Sequence, residues 1–204
     1  MFWDAMHNAA NFAFANRMFL ALMAWASLEK CLGQTTFDLL YDAPHNMVWR
    51  EHSDNGESIV HRKGACPARG LEQMQGTPFE YYGEPVLVPG SMGASSFILA
   101  GNGLDDSLCS AAHGAGRAVS RGSAMSGYQK EFEEFLEKFR VVTPVDFRRQ
   151  DIKRRKDIID KKLADLRQEA PFAYKGIGPV IDTIRDAGIA RAVAELKPIM
   201  TVKG

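Results

Sequence analysis

Apolar positions along the first 32 residues recur with a helical period. Four large side chains share one side of such a helix: Phe12, Phe19, Leu20 and Met23. Gly33 is typical of a helix C-terminal cap, so the pattern predicts one helix over residues 5–32. Its apolar run, Met18 to Ala26, is too short to span a bilayer and lacks a preceding basic cluster. We therefore predict a buried helix and no membrane segment.

The next third of the chain alternates between extended and turn-forming composition. We predict strands from Tyr41 to Trp49, with a break at Pro44, and over residues 58–64. Residues 65–84 are rich in glycine and proline and are predicted as a loop. Two short apolar strands, at 86–88 and 97–99, then flank a Pro-Gly-Ser-Met-Gly turn.

The remaining residues favour helices. The pattern predicts one helix after Gly116, another near 127–140 and a highly charged one over 148–167. Residues Ala190 to Val202 fit either a helix or a strand. These expectations together indicate a mixed α+β fold.

Composition narrows the function only slightly. The length of 204 residues suits one domain. The chain has 25 basic and 25 acidic residues, which is unusual for a free-standing nucleic-acid binder. Its three cysteines form no Cys-x-x-Cys pair, so neither a disulfide framework nor a zinc ribbon is indicated. Reduced thiols predict a cytoplasmic protein.

The segment from Ser110 to Arg121 carries the clearest candidate chemistry. His113 is followed by Gly114 and Gly116, and glycines allow a backbone to approach phosphate oxygens closely. Arg117 and Arg121 would share a helix face that suits phosphate. The segment reads as a phosphate site with a nucleophilic or ligating histidine. The alternative is a glycine-rich turn that opens a helix, with His113 as its cap.

Several further segments occur in a fixed order around this one. They are Tyr41-Asp-Ala-Pro-His-Asn46, His61-Arg-Lys-Gly-Ala65, Val88-Pro-Gly-Ser-Met-Gly-Ala94, Glu169-Ala-Pro-Phe-Ala-Tyr-Lys175 and Val202-Lys-Gly204. Together they resemble the RtcB family of RNA ligases, from about Met6 to Gly204. The resemblance implies that residues 1–204 are the C-terminal portion of such a ligase, with long helices packed on a mixed sheet. The family's N-terminal half, with its Asp/Cys pair and further metal-binding histidines, has no counterpart here.

The resemblance implies a role for each matched residue. His113 would attack the α-phosphate of GTP to form a histidine–GMP adduct, and imidazole is a suitable nucleophile near neutral pH. His45 would be a ligand of Mn²⁺ and, with Asn46, a guanylate contact. The other residues implied to bind the nucleotide are Pro89, Gly90, Ser91, Met92, Ser96, Gly114, Ala115, Gly116, Arg117 and Lys203. Tyr174 resembles an aromatic beside the base, while Arg62 and Lys63 are phosphate contacts without an assigned role.

A basic run extends from Arg148 to Lys162, with aspartates between its cations. It fits either a solvated helix with i,i+4 ion pairs or a contact to the RNA backbone. The sequence leaves both open.

The family resemblance predicts a GTP- and Mn²⁺-dependent RNA ligase. It would join a 3′-phosphate or 2′,3′-cyclic phosphate end to a 5′-hydroxyl end. The alternative is a truncated, inactive nucleotide- or RNA-binding remnant of that family. Expected partners are such RNA ends, a separately encoded N-terminal half and an archease-type activator.

Overall fold

The computed structural model describes residues 2–53, 56–145 and 149–203. The chain divides into two compact units, Met1–Lys63 and Gly64–Gly204. Each unit is described by itself below. Helices and strands occur in both, which confirms the mixed α+β class.

The first unit begins with the predicted helix. Helix α1 spans Phe2–Leu32, three residues longer at its start than predicted. Gly33 caps it as expected, because its φ is +82° and its amide donates to the Glu29 carbonyl at 2.9 Å. Trp25 then holds the chain that leaves the helix by donating to Thr35 Oγ1 at 2.9 Å.

The prediction that α1 is buried is wrong. None of the residues described in this helix is buried, and Phe12 and Phe19 are 76% and 60% exposed. The physical reason is that apolar side chains occur all around the helix, whereas the described residues of the first unit supply a single hairpin that could cover it. No helix among the described residues has the length and apolar character needed to cross a membrane.

The hairpin consists of β1, Asn46–Ser53, and β2, Gly56–Lys63, paired antiparallel. The strand predicted from Tyr41 is wrong over its first half, because β1 begins only after Pro44, which has no amide hydrogen to donate. Arg62 donates to both carboxylate oxygens of Glu51 at 2.7 and 2.9 Å and is 2% exposed. Its guanidinium therefore stabilises the hairpin and is not available to a phosphate.

The strands of the second unit form small sheets. Strand β4, Pro85–Val88, pairs with β5, Ser96–Gly101, as the apolar pattern predicts. Strand β8, Ala190–Leu196, adds to the other side of β5, so the ambiguous C-terminal segment is a strand. The predicted loop over 65–84 contains β3, Ala65–Pro67, paired with β6, Ser110–Ala112. A last parallel pair joins β7, Val141–Val142, to β9, Thr201–Val202.

Five further helices occur among the described residues of this unit: α2, Arg121–Ser126; α3, Gln129–Lys138; α4, Gln150–Lys153; α5, Lys156–Arg167; and α6, Gly178–Asp186. Helix α3 confirms the prediction near 127–140. The single charged helix predicted over 148–167 is wrong, since α4 and α5 are separate and Arg148 lies outside the described residues. The break falls within four consecutive cations, Lys153 to Lys156, where like charges disfavour a continuous helix.

One hydrophobic cluster connects α3 and α5 to the turn between β4 and β5. Its buried members are Met92, Phe132, Leu166 and Ala170. Phe132 of α3 and Leu166 of α5 are 2% and 1% exposed. The cluster therefore fixes the turn that carries Met92 against two helices.

Candidate functional site

His113 follows β6 and is held by the strand that pairs with it. Cys66 of β3 lies opposite Ala111 of β6, and beyond that pairing the His113 amide donates to the Gly64 carbonyl at 3.0 Å. The residue is half-buried as a whole, and its ring nitrogen Nδ1 is buried. The imidazole therefore has its Nδ1 side toward the protein interior.

The residues after His113 form a loop and not the start of a helix. Gly116 has a φ of +69°, which is left-handed backbone that ends any helix, and Arg117 forms an antiparallel bridge with Tyr174. Helix α2 starts only at Arg121, where Ser120 Oγ accepts from the Ser123 amide at 3.1 Å. The helix predicted after Gly116 is thus confirmed as α2, but Arg117 lies before its first residue. Arg117 and Arg121 consequently share no helix face, and His113 caps no helix.

The turn between β4 and β5 lies against this loop. A Cβ on Gly114 would be 3.9 Å from the Pro89 carbonyl oxygen. A Cβ on Gly90 would come within 2.2 Å of the Ser95 carbonyl oxygen, so the turn tolerates only glycine there. Thus the structure brings together two segments that were predicted separately to bind the nucleotide.

Side chains of the turn differ in what they offer to a ligand. Met92 is 7% exposed and packs in the hydrophobic cluster, so it presents only main chain to a ligand. Ser96 Oγ accepts from the Gly90 amide at 3.1 Å and thereby fixes the turn. Ser91 closes the turn, because its carbonyl accepts from the Ala94 amide at 3.0 Å.

Arg117 fastens the loop to the segment that follows α5. Its Nη2 donates to the Gln168 carbonyl at 2.6 Å, its Nη1 to the Tyr174 hydroxyl at 3.0 Å, and its Nε to the Val119 carbonyl at 3.2 Å. Its Cζ lies 4.8 Å from the centre of the Tyr174 ring. Every nitrogen of the guanidinium is thus engaged within the protein, and Arg117 shapes the loop whether or not it also faces a phosphate.

Glu169 completes this cluster and was given no role from the sequence. The Tyr174 hydroxyl donates to Glu169 Oε2 at 2.5 Å, and Glu169 Oε1 lies 3.9 Å from Arg117 Nη1. Burial, and then the hydrogen bond to the Glu169 carboxylate, raise the pKa of the Tyr174 hydroxyl above its ordinary value of 10.0. The sequence contains no signal for the contact between Arg117 and Tyr174, because the two residues lie 57 positions apart along the chain.

The raised pKa of Tyr174 predicts a loss of stability in alkali. Because the pKa of Tyr174 is higher in the folded than in the unfolded state, the contribution of its protonated hydroxyl to the free energy of unfolding is complete below pH 10. That contribution is lost as the pH rises through the folded-state pKa. In a difference titration of tyrosinate absorbance against Tyr174→Phe, we expect the Tyr174 midpoint above 10. Glu169→Gln should lower that midpoint. A midpoint at or below the ordinary value, or one unmoved by Glu169→Gln, would contradict the geometry.

Comparison with known proteins places this arrangement in a family. The family model described as "tRNA-splicing ligase RtcB" matches residues 1–204. The chain belongs to the RtcB family. It is 34% identical to the tRNA-splicing ligase RtcB of Nanoarchaeum equitans, over 98% of this chain and 41% of that protein. It is 36% identical to RNA-splicing ligase RtcB homolog 1 of Entamoeba histolytica, over 100% of this chain and 38% of that protein.

A third relative shows a similar proportion. The tRNA-splicing ligase RtcB of Methanococcus maripaludis is 34% identical over 100% of this chain and 42% of its own length. The chain therefore spans about two fifths of the length of these RtcB relatives.

Two residues predicted from the RtcB resemblance lie in the first unit. His45 and Asn46 are exposed where β1 begins. Asn46 is opposite Lys63 in the register of the hairpin, so the His-Asn motif begins the strand that pairs with Arg62 and Lys63. His113, Gly114, Ala115, Gly116, Arg117 and the turn over 89–96 lie in the second unit.

Lys203, the last predicted nucleotide contact, is also in the second unit. Its amide donates to the Val142 carbonyl at 2.8 Å, which extends the pairing of β7 with β9. The main chain at the C-terminus is therefore fixed, and the Lys203 side chain is half-buried. No contact of this side chain with the His113 loop was found among the described residues, and its role stays a prediction.

The described residues do not fit a complete metal site. No group of three or more His, Cys, Asp or Glu side chains among them is arranged to hold a metal ion. His45 alone would be one ligand of the several that a transition metal requires. Of the three cysteines, Cys31 is exposed, Cys109 is half-buried and Cys66 is buried.

Proposed function

We propose that this chain is part of a GTP-dependent RNA ligase in which His113 carries GMP. One observation carries the proposal: Gly114, next to His113, lies against the main chain of the Pro89-Gly-Ser-Met92 turn. A histidine beside two glycine-containing loops is suited to phosphoryl transfer, because the loops let phosphate oxygens approach backbone amides. Membership of the RtcB family supports the same reading.

The proposed first step is transfer of GMP to the histidine. Because Nδ1 is buried, Nε2 is assigned as the nucleophile. Its lone pair attacks the α-phosphorus of GTP, a phosphorus–nitrogen bond forms, and the bond to the leaving pyrophosphate breaks. Gly114, Ala115, Gly116 and the turn would hold the phosphate, while Arg117 keeps the loop in shape.

The second part of the reaction uses RNA ends. GMP would pass from His113 to a 3′-phosphate, either present at the outset or produced from a 2′,3′-cyclic phosphate. A 5′-hydroxyl then attacks the activated phosphate, and GMP leaves. The chain spans about two fifths or less of its relatives' length, so this reaction is proposed for the chain together with the rest of the family's sequence. A separately encoded N-terminal half, an archease-type activator and a cytoplasmic location stay predictions.

Covalent labelling tests the proposal. The chain, alone and mixed with the remaining portion of a relative, is incubated with GTP labelled at the α-phosphate and with Mn²⁺, and is then denatured. Acid-labile, alkali-stable label on this chain is the expected result, since a phosphorus–nitrogen bond has that stability. Absence of label in both mixtures would instead support a nucleotide- or RNA-binding remnant.

Metal binding provides a separate prediction. Mn²⁺ is the expected metal, but His45 is the one residue of this chain matched to the family's ligands. Calorimetric titration of the isolated chain should therefore show weak binding that His45→Ala removes. Tight binding of two ions by the isolated chain would contradict the assignment.

A further inference from the structure

Six of the seven cations in residues 149–162 divide into two groups. Arg149 binds both oxygens of Asp151, at 3.0 and 2.8 Å, and Arg155 binds both oxygens of Asp157 at the same distances. These pairs join residues two apart, at the start of each helix, and not the i,i+4 pairs that a continuous solvated helix would show. Two of the seven cations in residues 149–162 are thereby neutralised.

The second group of cations has no such partner. Within residues 2–53, 56–145 and 149–203, no ion pair involves Lys153, Arg154, Lys156 or Lys161, and all four are exposed. We call these four residues the cationic face. Since residues 149–162 carry seven cations and three aspartates in a chain of zero net charge, positive charge is concentrated here.

Helix α5, which carries Lys156 and Lys161, is attached to the candidate site through its apolar residues. Leu163 and Leu166 pack in the cluster that includes Met92 of the phosphate-side turn. Immediately after α5, the Gln168 carbonyl accepts from Arg117 of the His113 loop at 2.6 Å. Helix α5 thus contacts the phosphate-side turn and leads into the residues that hydrogen-bond to the His113 loop.

Helix α3, which shares the hydrophobic cluster with α5, carries an excess of acidic residues. Helix α3 has four glutamates and two lysines, and its Phe132 shares the cluster with α5. In the described part of the chain, no glutamate of α3 pairs with the cationic face. The positive side chains therefore remain available to a partner.

We infer that the cationic face of α4 and α5 binds the phosphate backbone of the RNA whose end is joined at His113. This inference deepens the proposed function and rests on it. Helix α5 has 12 residues and is about 18 Å long, so it spans more than one phosphate of a strand. Lysine and arginine contacts to phosphate add affinity without reading sequence. The face accordingly suits a ligase that must hold a strand near its end whatever its bases.

Salt-dependent binding of RNA to the full chain tests the inference. The probe is a fluorescently labelled single-stranded oligoribonucleotide with a 3′-phosphate, followed by anisotropy over a series of salt concentrations. The variant replaces Lys153, Arg154, Lys156 and Lys161 by glutamine. Each lost phosphate contact lowers the slope of log affinity against log salt by roughly 0.7. We expect a slope shallower by about 2 to 3 and weaker binding at every salt concentration.

Matched variants distinguish a specific contribution of the cationic face to RNA binding from a general effect of the protein's charge. Lys130→Gln with Lys138→Gln removes two exposed cations of α3 and should leave binding and slope unchanged. Asp160→Asn removes an exposed carboxylate of α5 and should strengthen binding, which keeps the test informative if the fourfold variant is unstable. An unchanged slope in the fourfold variant, or an equal loss in the α3 variant, overturns the inference.

Other outcomes distinguish the inference from the proposed function. If anionic vesicles displace the RNA more effectively than unlabelled RNA does, the face is a membrane contact and the inference fails. Guanylylation of His113 needs no RNA, so label in the fourfold variant with lost RNA binding supports both proposals. Label in the intact protein with no RNA binding overturns the inference alone. RNA binding that depends on the cationic face, with no label, overturns the proposed function alone.

Discussion

Replacement of His113 by alanine is expected to abolish covalent labelling by GTP. The proposed adduct is a bond to the imidazole nitrogen, and alanine has no nucleophile to replace it. The loop itself should survive, because His113 is held through its main-chain amide, which donates to the Gly64 carbonyl. The measurement is label retained on the denatured chain, in the presence of the family's remaining portion, with GTP and Mn²⁺.

The control for this prediction is another histidine. His52 is exposed in β1, with a side chain that is 77% accessible and whose Nε2 lies 3.4 Å from Glu57 Oε2. His52→Ala should label as the unaltered chain does. Equal labelling of the His113→Ala variant would mean that the nucleophile lies elsewhere.

Replacement of Phe132 by alanine is expected to produce the largest loss of stability. Phe132 is 2% exposed and lies at the centre of the cluster that holds Met92, Leu166 and Ala170. Removing a buried phenylalanine ring leaves a cavity and lowers the free energy of unfolding by about 3–5 kcal/mol. Urea denaturation followed by circular dichroism provides the measurement.

The same substitution should also disturb the site. Because Met92 packs in this cluster, loss of the Phe132 ring loosens the Pro89-Gly-Ser-Met92 turn that lies against Gly114. Glu134→Ala, at an exposed position of the same helix, is the matched control and should change stability by less than about 0.5 kcal/mol. A loss below about 1 kcal/mol in Phe132→Ala would contradict the described packing.

The hydrophobic period predicted those helices and strands whose local sequence alone determines their secondary structure. Helix α1 and its Gly33 cap follow from spacing and a positive φ, and β4 and β5 follow from short apolar runs beside a turn. The exposure of α1 could not be predicted in this way. Apolar side chains all around a helix usually indicate burial, but burial depends on which other elements the fold provides.

In the candidate site, too, the local sequence predicts some features, whereas others depend on contacts between residues far apart in the chain. The sequence motif identifies His113 and its glycines, yet strands as short as β3 and β6 carry no detectable period. The contact between Gly114 and Pro89 therefore could not be deduced from the sequence. Arg117 is similar: its motif favours a phosphate contact, whereas its hydrogen bonds to Gln168 and Tyr174 depend on residues more than 50 positions away.

The separation of charge between α3 and residues 149–162 gives this electrically neutral chain a local dipole. Helices α3 and α5 pack into one cluster through Phe132 and Leu166, so the acidic and basic surfaces are held in fixed positions relative to each other. A molecule without net charge exerts no long-range attraction on a polyanion, and at physiological salt fields decay within about 8 Å. At that range the dipole exerts a torque on an approaching strand. An approaching strand would then bind according to its orientation at contact, and not because the protein attracts it from a distance.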